Sequence, residues 1–194
     1  VFQVGEGGRP PATLAGPFLG APQAVLGLEK LIALGARRVL VTGWCGSLQP
    51  DLRIGDLVMP SGALSEEGTS KHYPLEGDDP EADPDLRRRL ADAVARRGLT
   101  ARTGRIWSTD APYRETRDKV RSSRDAGLLA VDMEMSALLT VAAFRGVRLA
   151  ALLTVSDELS DLTWRHGFSS DRLREADGTV AALLQEAVGG QEAG

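Results

Sequence analysis

Three places in the sequence combine residue types and spacing that could do chemistry. Asp132 and Glu134 flank Met133 at the start of an apolar helical stretch, AVDMEMSALL. Asp157 follows directly on the apolar run LLTVS. Gly43 and Gly46 stand three apart in VTGWCGSL, Val41 to Leu48, with Trp44 and the only cysteine, Cys45, between them. A carboxylate at the tip of an apolar strand is costly unless it is paired or hydrogen-bonded, so such a position is a candidate for acid–base work. A glycine turn after a strand can offer backbone amides to an anion. Each place also has a bland reading. Asp132 can be a helix N-cap, Glu134 a first-turn acid favoured by the helix dipole, and Asp157 a cap on the following turn. Trp107, at the end of its strand, is more often core than ligand platform. Cys45 reads as a small packed residue, with no histidine near it in sequence.

Strand-like and helix-like stretches alternate around these places, the pattern of an α/β fold. VFQV at the start and Ala12 to Ala15 read as short strands. Ala24, Leu28, Leu31 and Ile32 recur at helical spacing across Ala21 to Leu34, with Gly35 at the C-terminal end. ARRVLVTG reads as a buried strand entering the glycine turn. Ile54 to Pro60 is a second strand closed by its proline. Ser61 to Pro84 is an excursion rich in Gly, Ser, Pro and acidic residues, of a length that is usually functional or mobile. Asp83 to Gly98 is a capped amphipathic helix with Leu86, Leu90 and Val94 on one face. TARTGRIWSTD is a strand ending in a polar turn, and Tyr113 to Ser122 a short charged helix. LLAVDM leads into a buried helix, Glu134 to Phe144. RLAALLTVSDE is the clearest central strand, Asp171 to Val188 a final helix, and GGQEAG a frayed tail. In α/β sheets ligands gather at the carboxyl ends of strands, where all three candidate places fall.

Composition narrows the function classes. The 194 residues fit one domain, 1–194, with 42% hydrophobic and 26% charged residues, an ordinary globular balance. A net charge of -4 and a pI near 5.3 give no footprint for nucleic acid or an anionic membrane surface. No apolar run approaches the roughly 20 residues that span a bilayer. One cysteine excludes an internal disulfide and fits a reducing cytoplasm. With that cysteine and two distant histidines, His72 and His166, no metal site is expected. The chain begins at Val1, already inside an apparent strand, the pattern of a fragment that lacks its N-terminal segment.

Taken in order, four segments resemble the nucleoside phosphorylase and nucleosidase superfamily, of the purine nucleoside phosphorylase and uridine phosphorylase type. GPFLGAPQAVLGLEKLIALGARRVLVTGWCGSLQPDLRIGDLVMPSGAL is similar to the family's helix, strand, glycine turn and "GD" strand. IWSTDAPYRET resembles its base-binding strand, AVDMEMSALLTVAAFRGV its ribose helix, and LLTVSD its "SD" strand end. The resemblance implies a single-domain three-layer α/β/α fold with a central mixed, partly barrel-like sheet. It also implies a cytoplasmic homo-oligomer, dimer or hexamer, and a nucleoside ligand. It implies no cofactor, with phosphate as the possible co-substrate.

Roles follow from the matched positions. Glu134 corresponds to the glutamate that accepts hydrogen bonds from ribose hydroxyls, and its charge would favour an oxocarbenium-like transition state. Met133 corresponds to the residue packed on the sugar, with Asp132 beside it. Asp157 corresponds to the aspartate that protonates or hydrogen-bonds N7 of a purine leaving group. Trp107 and Ser108 fall at the base, where purine-cleaving relatives place a stacking aromatic. No Gln/Arg pair of the pyrimidine-specific kind follows Tyr113. The backbone of Gly43, Trp44 and Gly46 would contact an anion or the sugar.

Two departures bear on the nucleophile. Val41 stands where phosphorylases carry an arginine, and Trp44 where they carry Thr or Ser. The family's N-terminal phosphate loop has no counterpart in the sequence, and neither has the base glutamate of hydrolytic relatives. The leading expectation is N-glycosidic cleavage of a purine-type nucleoside by phosphate. A methylthioadenosine-type nucleosidase using water and a non-catalytic nucleoside-binding module are the alternatives.

Overall fold

The computed structural model describes residues 2–4, 12–75 and 80–189. Val1 and the end of the expected tail, 190–194, lie outside the described residues. Strands β1 (Phe2–Val4) and β2 (Ala12–Leu14) pair antiparallel in a small separate ribbon, Phe2 opposite Leu14. The main body runs α1 (Ala21–Ala33), β3 (Arg38–Ser47), β4 (Leu57–Glu66), α2 (Pro84–Arg96), β5 (Ala101–Thr109), α3 (Arg117–Asp125), β6 (Ala130–Asp132), α4 (Met135–Arg145), β7 (Arg148–Glu158), β8 (Arg165–His166) and α5 (Asp171–Gly189). No described helix is long and apolar enough to cross a membrane.

The six-stranded sheet has the order β3-β6-β5-β4-β7-β8, and an added β3–β7 pairing closes five of its strands into a barrel. β4, β5 and β6 run parallel to one another, and β3 and β7 run parallel to each other but against that trio. The sheet is therefore mixed, as the resemblance implied. α1 and α4 cover one face, with Val41, Ala151, Leu153 and Val155 turned towards them. α2 and α5 cover the other, over Leu40, Ala150 and Leu152. A strand covered on both faces has to be apolar at every position, which is why RLAALLTVS carries no alternation.

Local chemistry sets several boundaries. Asp83 caps α2 by accepting from Leu86 N at 2.8 Å, with Pro84 at the first helical position. Thr116 caps α3, so that helix starts at Arg117, and Pro112–Arg114 before it is a single 3-10 turn. Gly146 ends α4 in the left-handed region, at φ 64°.

Two expectations are corrected. Pro60 does not close its strand: β4 continues to Glu66, and the register with β5 shifts between Pro60 and Gly62. Proline is tolerated at such an irregularity because its missing N–H costs no ladder bond. The excursion is shorter by that much, and Thr69–His72 in it forms a 3-10 turn. VTGWCGSL is likewise no turn. β3 runs through to Ser47, paired with β7 from Arg38↔Arg148 to Ser47↔Glu158, with one bulge between Cys45 and Gly46. The two-residue β8, which pairs His166 with Asp157, had no signal in the sequence pattern.

Candidate active site

Gly46 is the hub of the site. It pairs with Val131 of β6 on one side and Asp157 of β7 on the other. A Cβ there would lie 2.7 Å from Leu159 Cδ1, 3.0 Å from Asp157 Oδ2 and 3.2 Å from Val131 Cγ1. The glycine thus serves close approach of three elements. Asp157 and the Val131–Asp132 strand end flank a single strand, about 9–10 Å apart by strand spacing. They come from strands of opposite direction and meet because β3 carries both.

Asp132 is buried at the end of β6. Its Oδ1 accepts from Ser108 Oγ at 2.5 Å, and its Oδ2 accepts from the amides of Glu134 (3.0 Å) and Met135 (2.7 Å). Burial raises its pKa to about 7, with the Glu134 charge adding to the rise and the three hydrogen bonds opposing it. Asp132 is not the N-cap of α4, which is Glu134; it stands two residues earlier and fixes the backbone of Glu134 and Met135 through their amides. Ser108, fully buried on β5 opposite Asp132, accepts from Ser136 N at 2.9 Å.

Glu134 is half-buried at the N-cap of α4, and its Oε1 accepts from Gly20 N at 2.5 Å. Burial raises its pKa, against hydrogen bonds from the backbones of Gly20 and Met133. Met133 lies half-buried between the two carboxylates. Asp157 takes Ser156 Oγ on Oδ1 (2.6 Å) and the Trp164 indole N–H on Oδ2 (2.9 Å). Trp164, His166, Phe168 and Trp44 form an aromatic cluster beside it, with Trp44 stacked on Phe168 at 5.8 Å. The Trp44 indole N–H donates to the carboxylate of Asp177 on α5, so the side chain leaves β3 on the face opposite Val41.

Trp107 is 2% exposed and packs with Leu48, Val120, Leu128, Val131 and Leu159. Its ring is a core element here, with the Lys119 ammonium 6.0 Å from its centroid. Cys45 is buried, and burial first, then the Asp132 and Asp157 charges, pushes its thiol well above the usual range. It is a packed residue, as its sequence context suggested.

Three further residues belong to this neighbourhood. Trp164 reaches Asp157 from β8's approach, seven residues downstream. Glu115, after the 3-10 turn, has its pKa raised to about 7 by burial and by the charges of Asp157 and Glu66. Glu67 lies buried under the loop that follows β4. Neither Glu67 nor Glu115 stood out in the sequence, where the acidic stretches SEEGTS and YRET are their local trace.

The closed mixed barrel with two helical layers is a phosphorylase-type fold. The chain is similar to a crystal structure of purine nucleoside phosphorylase from Toxoplasma gondii in complex with immucillin-H. The TM-score is 0.81 at 25% identity, over 88% of this chain and 70% of that one. A family model described as Phosphorylase superfamily matches residues 1–189, and the chain belongs to that superfamily. Among curated proteins it is 34% identical over 163 residues to a guanosine phosphorylase of Halorubrum lacusprofundi, covering 84% of this chain and 68% of that protein. It is 33% identical over 149 residues to a DeoD-type purine nucleoside phosphorylase of Bacillus cereus. That match covers 76% of this chain, which spans 63% of the DeoD-type protein's length.

Proposed function

We propose that the protein cleaves the N-glycosidic bond of purine nucleosides by phosphorolysis, giving free base and ribose 1-phosphate. The observation that carries this reading is that Gly46 has Asp157 on one side and on the other Val131, whose strand end leads within three residues to Glu134. As the C1′–N9 bond breaks, its electron pair leaves with the base and positive charge grows on the ribose. Glu134, half-buried and aimed at the start of α1, accepts the sugar hydroxyls and stabilises that charge. Asp157 hydrogen-bonds or protonates N7 of the departing purine, and a phosphate oxygen takes C1′. Ser156 and Trp164 hold the Asp157 carboxyl in place. Met133 packs on the sugar, and Ser108 holds Asp132 beneath it. The names of the relatives favour phosphate as nucleophile and a purine such as guanine as leaving group. We carry the homo-oligomer and the cytoplasmic location over as part of this reading.

One observation favours a second reading, hydrolysis by water. Val41 packs into the apolar core under α1 and α4, and Trp44 is held on the far side of β3 by Asp177 and Phe168. Neither offers phosphate a donor. The test is a product assay on the full-length protein with guanosine, inosine, adenosine, methylthioadenosine and uridine, with and without phosphate. Ribose 1-phosphate formed only with phosphate supports phosphorolysis. Free ribose regardless of phosphate replaces it with the second reading. Nucleoside binding without cleavage overturns both.

A further inference from the structure

We infer that Glu67 is a positioning residue for Glu134, an inference that rests on the ribose-binding role given to Glu134 above. Glu67 is 1% exposed, although it follows a strand end and lies in a loop of small polar residues. Its Oε1 accepts three hydroxyls: Ser65 Oγ at 2.7 Å, Ser136 Oγ at 3.0 Å, and Ser70 Oγ. Its Oε2 accepts the amides of Thr69 (2.6 Å) and Ser70 (3.0 Å). Burial raises its pKa, but the bonds from Ser70, Ser65 and Ser136 outweigh that and leave it lowered, so the carboxyl is ionised.

A buried ionised carboxylate without its hydrogen bonds is expensive, so the groups that donate to it are held in place. One of those groups belongs to α4. Ser136 stands two residues after Glu134, in the first turn of the helix. Its hydroxyl goes to Glu67 and its amide to Ser108 Oγ, which donates to Asp132, which accepts the Glu134 amide. Residue 134 is thereby held from both sides, by Asp132 before it and by Ser136 after it. Thr140 Oγ1, one turn on, donates back to Ser136 O at 2.7 Å and lies 3.3 Å from Ser70 Oγ of the same loop. The side chain of Glu134 has a non-helical backbone, φ -135° and ψ -34°, so its aim follows wherever this first turn sits. Glu67 touches no ligand in this scheme; it acts through α4.

The test is a double-mutant cycle on the full-length protein with Glu67→Gln, Glu134→Gln and both changes, read as kcat and KM for guanosine and inosine at saturating phosphate. Gln keeps the shape and an acceptor for the two amides, while the rotatable hydroxyls can reverse. If Glu67 acts through Glu134, Glu67→Gln lowers kcat about tenfold, the scale of one hydrogen bond to a charged group. Once residue 134 is Gln, the second change costs less than about twofold. Losses that multiply, or a lowered Tm with unchanged kcat, would overturn the inference and leave the reaction intact. If Glu67→Gln does not fold, Ser136→Ala removes the link to α4 alone and carries the same two expectations. A wild-type protein that cleaves no nucleoside would overturn the reaction and this inference together.

Discussion

The carboxylate of Glu134 accepts the amide hydrogen of Gly20 at 2.5 Å, joining the starts of α4 and α1 across 114 residues of chain. Gly20 has φ 81°, a backbone that an L side chain adopts only under strain, and it leads straight into the helix. The ribose-binding candidate is thus fixed by backbone and carries no cationic partner in that contact.

Replacing Glu134 by Gln keeps an acceptor for Gly20 and removes the charge. Turnover of purine nucleosides is expected to fall by at least about a hundredfold, the range for loss of a charged transition-state contact. A thermal melt is expected to stay close to that of the wild type. Unchanged turnover would remove Glu134 from the mechanism.

Asp157→Asn keeps the acceptor for the Trp164 indole and abolishes the acid. Natural purine nucleosides are expected to lose far more activity than substrates whose leaving groups need no proton. Rates on a nitrophenyl riboside and on inosine, measured side by side, decide it. Equal losses on both would make Asp157 a structural residue.

Gly46→Ala places a methyl 2.7 Å from Leu159 Cδ1 and 3.0 Å from Asp157 Oδ2. The backbone around it is pinned by strands on both sides, so the Leu159 side chain has to yield first and the Asp157 carboxyl is pressed from its place beside it. Activity is expected to fall more than tenfold, in proportion to a misplaced reacting group, beyond what the loss of stability explains. Crystallography or denaturant melts together with kcat would separate the two effects.

Stability should also depend on pH in an unusual direction. Asp132 titrates near 7 in the folded chain against an ordinary value of 3.8. Between those values the folded state holds a proton that the unfolded state has released, so stability declines as pH rises from about 4 to 7 and levels off above. Asp132→Asn is expected to flatten that decline, shifting Tm by roughly 2–4 °C per kcal/mol recovered at pH 8. Glu115, also raised to about 7, and Glu134, raised by burial as well, contribute to the slope that remains. A profile of Tm against pH that rises through this window would contradict all three.

The parts of the fold legible in sequence are those whose cause is local. β7 was readable from Arg148 to Glu158 because cover on both faces forces an unbroken apolar run. α2 announced itself through the Asp83 cap and its amphipathic stripe. Gly46 was misread because glycine serves a turn and a close contact alike, and the neighbours that decide between them lie on β6 and β7, far along the chain. Trp107 sits in the core because α3 and β6 close over it, which its own strand could not reveal. Glu67 was hidden for a similar reason: a Gly, Ser and Thr loop looks mobile until Ser136, 69 residues on, meets it.

The β3–β7 ladder has a bearing on how the molecule comes to exist. Its partners stand about 110 positions apart, as with Arg38 and Arg148 or Cys45 and Val155. Pairing at such range must close a long loop before any contact compensates for the lost chain freedom, so it forms slowly and late. Gly46 and Asp157 sit at the far end of that ladder. On a ribosome, β7 emerges only after β3, β4, β5 and β6 have been made, and the surroundings of Gly46 and Asp157 must wait for it. A chain halted before Arg148 would hold Glu134 and four of the five barrel strands, but no barrel.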